Sequence, residues 1–252
     1  QAKEEGREIK LKEIMDPWIL QMNYPVVSVS RDFNNPSALH VTQSRFLSDP
    51  LAKDPGIQQY RWTIPLTFAS SRNASFTQNA QDIQWMYKEE RMKTFNLETL
   101  LPNCSDPDGW VIANVEQQGY YRVNYQIGNW LALVIGIVNR AQIINDAWSL
   151  AKASYIPIYV ALEMIDYLDK ELDYLPWFTA WRELKYMKAA LAFSSLYGAF
   201  EEFMKTILGE PFLHFGIMNS SENNLKNHSE MCATSYCCKI FWSSPMDWQP
   251  IV

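Results

Sequence analysis

Hydrophobic residues change their spacing once along this chain, near residue 130. Before that point, short runs rich in β-branched and aromatic residues alternate with clusters of turn formers. Residues 26–29, 39–46, 60–68, 110–115 and 120–125 read as strands, because such side chains suit a pleated, half-buried surface. Asn34-Asn35-Pro36-Ser37, Asp54-Pro55-Gly56 and Asp106-Pro107-Asp108-Gly109 punctuate them. Glu116-Gln117-Gln118-Gly119 separates the last two strands and predicts a hairpin, with Gly119 supplying the backbone freedom of the turn. Short strands punctuated in this way predict a small antiparallel β-sandwich.

From residue 139 the period is helical. Ile143, Ile144, Ala147, Leu150 and Ala151 share one face. Pro157 opens a second helix, since proline suits a first turn, and Ile158, Ala161, Leu162, Ile165, Leu168 and Leu172 form its stripe. Pro176 opens a third, striped by Trp177, Ala180, Trp181, Leu184, Met187 and Leu191; Phe200, Phe203, Met204 and Ile207 mark a fourth. Helix starts about 19 residues apart give a pair near 40, the period of α-solenoid repeats of the ARM/HEAT kind. Residues 11–22 read as a short amphipathic helix with Pro17 awkwardly inside.

The predicted fold class is therefore α+β and multidomain: a small antiparallel β-sandwich, then the start of an antiparallel α-solenoid. The boundaries drawn are 1–25 for a leading helix, 26–127 for the sandwich, 128–216 for an incomplete helical domain and 217–252 for an irregular tail.

Composition narrows the function. The 252 residues are 48% hydrophobic and 20% charged, a globular profile rather than a disordered one. A net charge of −6, with basic residues scattered among acids, offers no patch for a phosphate backbone, so no nucleic-acid partner is expected. The longest apolar run, residues 130–138, is nine residues with a glycine inside. A membrane-spanning helix needs about twenty. Asn-x-Ser/Thr sequons at Asn73, Asn103, Asn219 and Asn227 are candidate N-glycosylation sites and lean toward a secreted or luminal setting.

Chemistry is sparse. None of His40, His214 and His228 has a second histidine at i+4, so the helical zinc arrangement His-Glu-x-x-His is absent. His228 with Cys232, Cys237 and Cys238 fits no familiar zinc spacing. No Gly-x-Ser-x-Gly elbow and no glycine-rich phosphate loop occurs. The pairs Asp166/Asp169 and Glu171/Asp173 read as charges on a solvated helix face. Trp18, Trp62, Trp110, Trp148, Trp177 and Trp181 fall on apolar stripes or strand faces, and read as core rather than as sugar-stacking platforms. No catalytic residue, metal ligand or cofactor site is assigned in this chain.

The same residues carry a resemblance. Ile14-Met15-Asp16-Pro17-Trp18-Ile19-Leu20-Gln21-Met22-Asn23-Tyr24-Pro25-Val26 resembles the end of the catalytic domain in M1-family zinc aminopeptidases. Phe46-Leu47-Ser48-Asp49-Pro50 and Trp62-Thr63-Ile64-Pro65-Leu66 resemble strands of the family's small sandwich. Gly119-Tyr120-Tyr121-Arg122-Val123-Asn124-Tyr125 and Asn139-Arg140-Ala141-Gln142-Ile143-Ile144-Asn145-Asp146-Ala147 resemble the junction into its helical, ERAP1-like C-terminal domain. The resemblance covers residues 11–216. It implies a zinc exopeptidase as parent, acting on peptides as an extracellular, plasma-membrane ectodomain. The family's zinc-ligand and substrate-amine motifs match no position here. The implied reading is a truncated, non-catalytic portion of such an enzyme, able to self-associate or to pair with a full-length aminopeptidase through its helices. The alternative is a self-standing, aromatic-rich binding module without enzymatic activity. Three departures from the family pattern are the short 130–139 connection, Pro17, and a tail that no longer resembles the family after Phe215.

Overall fold

A computed structural model describes residues 10–52, 60–71, 76, 82–101, 109–132 and 137–217. Helix α1 (Leu11–Leu20) leads into strands β1 (Pro25–Arg31) and β2 (Ala38–Arg45). Then come β3 (Ile64–Leu66), β4 (Phe68–Ser70), β5 (Gln84–Met86), β6 (Met92–Asn96), the single turn α2 (Leu97–Leu100), β7 (Val111–Ala113) and β8 (Arg122–Tyr125). Helices α3 (Ile127–Ala132), α4 (Ile137–Lys152), α5 (Ile158–Asp166), α6 (Tyr174–Leu191) and α7 (Tyr197–Ile217) complete the order.

Pro17 does sit inside α1, where it removes one backbone hydrogen bond and turns its ring inward as the helix's buried residue. Beside it, Trp18 lies 6.1 Å from Trp62 and donates its indole N–H to the Thr63 carbonyl at 3.2 Å. These contacts pin α1 to the sheet.

The chain is α+β, as its two periodicities predict. The sheet is mixed, however, not wholly antiparallel. Its main layer has the order β6-β2-β1-β8, and β8 runs parallel to β1 with Val26 opposite Arg122. β3 pairs with β5 and β4 with β7 as two short antiparallel ladders. Residues 60–68 thus yield two strands that change partners at Thr67, whose carbonyl accepts from the Asn114 N–H at 3.0 Å.

The hairpin expected over 110–125 is not formed. β7 belongs to one ladder and β8 to another, joined by a 3-10 turn at Val115–Gln117. The left-handed residues are Asn114, Glu116 and Gln117, with φ of 57°, 55° and 55°. Gly119 is required for space instead: a Cβ there would overlap the buried Tyr121 ring and press on Asn114 Oδ1. The second helix also ends sooner than its stripe suggests, at Asp166, and a 3-10 turn (Tyr167–Lys170) follows.

One apolar core joins sheet and helices. Val27, Val41, Ile64 and Val123 on the β side, and Ile144, Leu150, Ile165, Leu184 and Ile207 on the helical side, belong to it. Trp62, Trp130, Trp148 and Trp177 are fully buried, while Trp18, Trp110 and Trp181 pack half-buried against it, so these seven tryptophans are core. α4 packs against α5 and α6, and α7 against the 167–170 turn. No helix among the described residues is long and apolar enough to cross a membrane.

Candidate functional site

Among the described residues, a cluster of buried polar side chains forms where β8 meets α4. Parallel pairing with β1 fixes β8, and α4 crosses it so that Asn139, Gln142 and Asp146, three and four residues apart, share the inward face. All three are buried. Each has a fixed partner across the joint.

Asp146 is the centre. Its carboxylate accepts from Arg122 Nη1 at 2.9 Å and from the Val123 N–H at 3.1 Å. Burial pushes its carboxyl up to about 6, and Arg122 and the Val123 amide pull it only partly back. Arg122 also donates from Nε to Tyr24 Oη at 3.0 Å and from Nη1 to Asn145 Oδ1 at 2.6 Å. One guanidinium therefore ties β8, the entry to β1 and helix α4 together. Burial also holds the phenols of Tyr121 and Tyr125, both near Asp146, well above their ordinary value.

Around this ion pair, side-chain amides replace missing backbone partners. Asn139 Oδ1 accepts the Glu116 N–H at 2.7 Å, and Gln142 Nε2 donates to the Ala113 carbonyl at 3.3 Å. Asn129 exchanges two hydrogen bonds of 2.8 Å with the Val111 backbone, extending the β7 ladder. Asn114 clamps the following loop, accepting from the Gly119 N–H at 2.7 Å and donating to the carbonyls of Gly119 and Tyr121. These bonds offset the cost of three left-handed non-glycine residues, on the order of 1–3 kcal/mol each.

A second cluster fixes α4 to the helices beyond. Arg140 grips buried Glu171 with two bonds of 2.7 and 3.0 Å and reaches Asp173 at 3.0 Å. Trp177 Nε1 donates to the Glu171 carbonyl at 2.8 Å. Lys152 pairs with buried Glu183. Buried Glu171 is thus an Arg140 receptor, which corrects its reading as a solvated face charge; Asp173 pairs with Arg140 from a solvated position, and Asp166 lies on an exposed face.

The sequons at Asn73, Asn103, Asn219 and Asn227 lie outside the described residues, as do His228 and the four cysteines. His214 lies in α7. His40, on β2, has both ring nitrogens occupied, by Thr94 Oγ1 at 2.9 Å and Asp32 Oδ2 at 3.0 Å. Asp32 also caps the Asn34 and Asn35 N–H groups, so His40 fastens the β1–β2 loop. The described residues do not fit a zinc ion: no three His, Cys, Asp or Glu side chains among them converge to hold one.

What sequence reasoning missed is that its two most specific blocks face each other. Arg122 and Val123 come from the 119–125 block, and Asn139, Gln142, Asn145 and Asp146 from the 139–147 block. A signal was present: polar residues at 139, 142 and 146 lie on the same helical face as buried Ile143 and Leu150.

A family model of the ERAP1-like C-terminal domain matches residues 110–240. Thyrotropin-releasing hormone-degrading ectoenzyme of Rattus norvegicus is 34% identical over 216 residues, covering 80% of this chain and 19% of that protein. Aminopeptidase N of Bos taurus is 32% identical over 241 residues, covering 89% of this chain and 23% of the relative. Aminopeptidase N of Homo sapiens is 32% identical over 244 residues, covering 90% and 23%. The chain spans about a fifth of the length of these curated relatives.

Proposed function

The chain belongs to the ERAP1-like C-terminal domain family of the M1 aminopeptidases, and from this we propose that it is the non-catalytic framework of a zinc-dependent aminopeptidase. In this reading the sheet and the first helices hold a fixed angle for the helical domain, and the zinc chemistry belongs to other parts of the enzyme. The whole protein would remove N-terminal residues from peptides as an extracellular ectodomain. Its helical side would be the face through which copies associate, or through which the chain pairs with a full-length aminopeptidase.

The supporting observation is the joint itself. Its one buried charge pair is closed, with Asp146 held by Arg122 and Val123, and Asn139 and Gln142 each bond the backbone across the joint. Such pairing of Asp146 with Arg122 orients elements and engages the joint's buried acid with a structural partner.

The test is activity of the purified full chain on alanyl-amide substrates, with and without added zinc, beside its metal content. The framework reading expects turnover no faster than buffer and no stoichiometric zinc. Zinc-dependent turnover abolished by a chelator would overturn it.

A further inference from the structure

Above the ion pair of the joint lies a cleft of about 420 Å³ that the framework reading leaves unused. Its walls include Tyr24, Gln117, Gln118, Tyr120, Arg122 and Asn145, with Asp146 at the floor. The strained 114–117 loop turns Gln117 and Gln118 outward, and their amides make no hydrogen bond among the described residues. Arg122 Nη2 and Asn145 Nδ2 are likewise donors without a hydrogen bond among the described residues. Tyr120 is largely exposed, with its ring set edge-on to Tyr24 at 5.1 Å.

We propose that this cleft binds a neutral saccharide. Amide side chains both donate and accept, which suits vicinal hydroxyls that do the same. The exposed Tyr120 ring offers an apolar face to the C–H side of a pyranose. The charge of Arg122 is balanced by Asp146 beneath it, so the cleft presents hydrogen-bonding groups rather than a net cation for an anionic ligand. An extended peptide would need free backbone groups to pair with. Here the Gly119 N–H and the carbonyls of Gly119 and Tyr121 are taken by Asn114, and the Glu116 N–H by Asn139. The volume lies within the range of small-ligand sites.

The experiment is amide-resolved NMR of the full chain titrated separately with chitotriose, mannotriose, an N-linked glycopeptide, tri-alanine amide and citrate. A saccharide should shift the side-chain amide signals of Gln117, Gln118 and Asn145. Tyr120→Ala should weaken that binding about tenfold, the scale of one lost ring contact, with melting temperature unchanged. Tighter binding of the glycopeptide than of the free trisaccharides marks a protein-borne glycan as the source, and equal binding a free one. The proposal is overturned if neither trisaccharide nor the glycopeptide shifts these signals at millimolar concentration. It is equally overturned if only tri-alanine amide or citrate does, or if binding survives intact in both Tyr120→Ala and Gln117→Ala/Gln118→Ala.

Discussion

The β8–α4 joint and the α6–α7 end of this molecule put unlike residues in unlike places. At the joint, polar and charged side chains are buried and partnered: Asp146 with Arg122, Asn139 with the Glu116 amide, Gln142 with the Ala113 carbonyl. At the far end, large apolar side chains face outward: Tyr186 on α6, then Phe193 and Leu196 in the turn before α7. A buried polar group without its partner is costly, so the joint tolerates one arrangement. An exposed apolar group costs little until a second surface arrives. The first region specifies one arrangement of strand and helix; the second only offers apolar surface.

Breaking the joint should produce the largest effect. Arg122→Ala leaves the Asp146 carboxylate buried with only the Val123 N–H of its former cross-joint donors. Removing one partner of a buried pair costs about 3–5 kcal/mol. Urea unfolding at pH 7.5 should show a loss of that size, and Arg122→Met with Asp146→Leu should recover most of it. If the single variant loses less than about 1 kcal/mol, on the scale of an exposed ion pair, the joint is not held as described.

The pH dependence of the same pair is next in size. Burial places the Asp146 carboxyl at about 6 in the folded chain against an ordinary 3.8. The folded state therefore binds the proton more tightly than the unfolded one. This group's contribution is fully present below pH 3.8 and is lost as pH rises through about 6. The difference is worth roughly 3 kcal/mol at most. Stability measured from pH 4 to 7 should fall more steeply in the native chain than in Asp146→Asn; equal slopes would show that Arg122 offsets the burial completely.

Gly119→Ala should come third, at about 1–3 kcal/mol, the usual cost of overpacking. Its added methyl meets a Tyr121 ring that is itself buried and cannot swing away. If thermal unfolding shows no loss, the 114–121 loop yields more readily than its amide clamps imply.

The same glycine marks how far the sequence could be read. Strands β1 and β2 were legible, because Val26, Val27, Val29, Leu39 and Val41 are residues that favour strands and turn into the core. The helices were legible for a similar reason, since α4 to α7 each repeat an apolar face. β5 and β6 were not: one is three residues long, and in the other apolar Met92 faces out while Lys93 faces in, so its residue types do not alternate with its burial. The hairpin reading failed because local composition cannot report a pairing set elsewhere. Glu116 to Gly119 looks like a turn, yet β8 finds its partner in β1, almost a hundred residues earlier. For the candidate site, the two motif blocks stood out as residues but not as partners. Their contact depends on that parallel pairing, which no spacing along the chain encodes.

The smallest effect on stability should come from the far end, where the test is of association. Phe193 and Leu196 are exposed in the turn between α6 and α7, with Tyr186 exposed on α6. Phe193→Ser with Leu196→Ser removes apolar surface without opening the core, so folding stability should change by no more than about 0.5 kcal/mol. Clustered apolar surface drives association, so the substitution should lower the mass seen by light scattering at micromolar concentration and reduce hydrophobic-dye binding. The joint variants, whose changes are buried, should leave association through the native fold unaltered. If the double serine variant associates as strongly as the native chain, the contact lies on another face. The next to substitute is then α1, where Leu11, Met15 and Ile19 line one exposed stripe at four-residue intervals. A native chain that is monodisperse, monomeric and blind to the dye would refute association through either end.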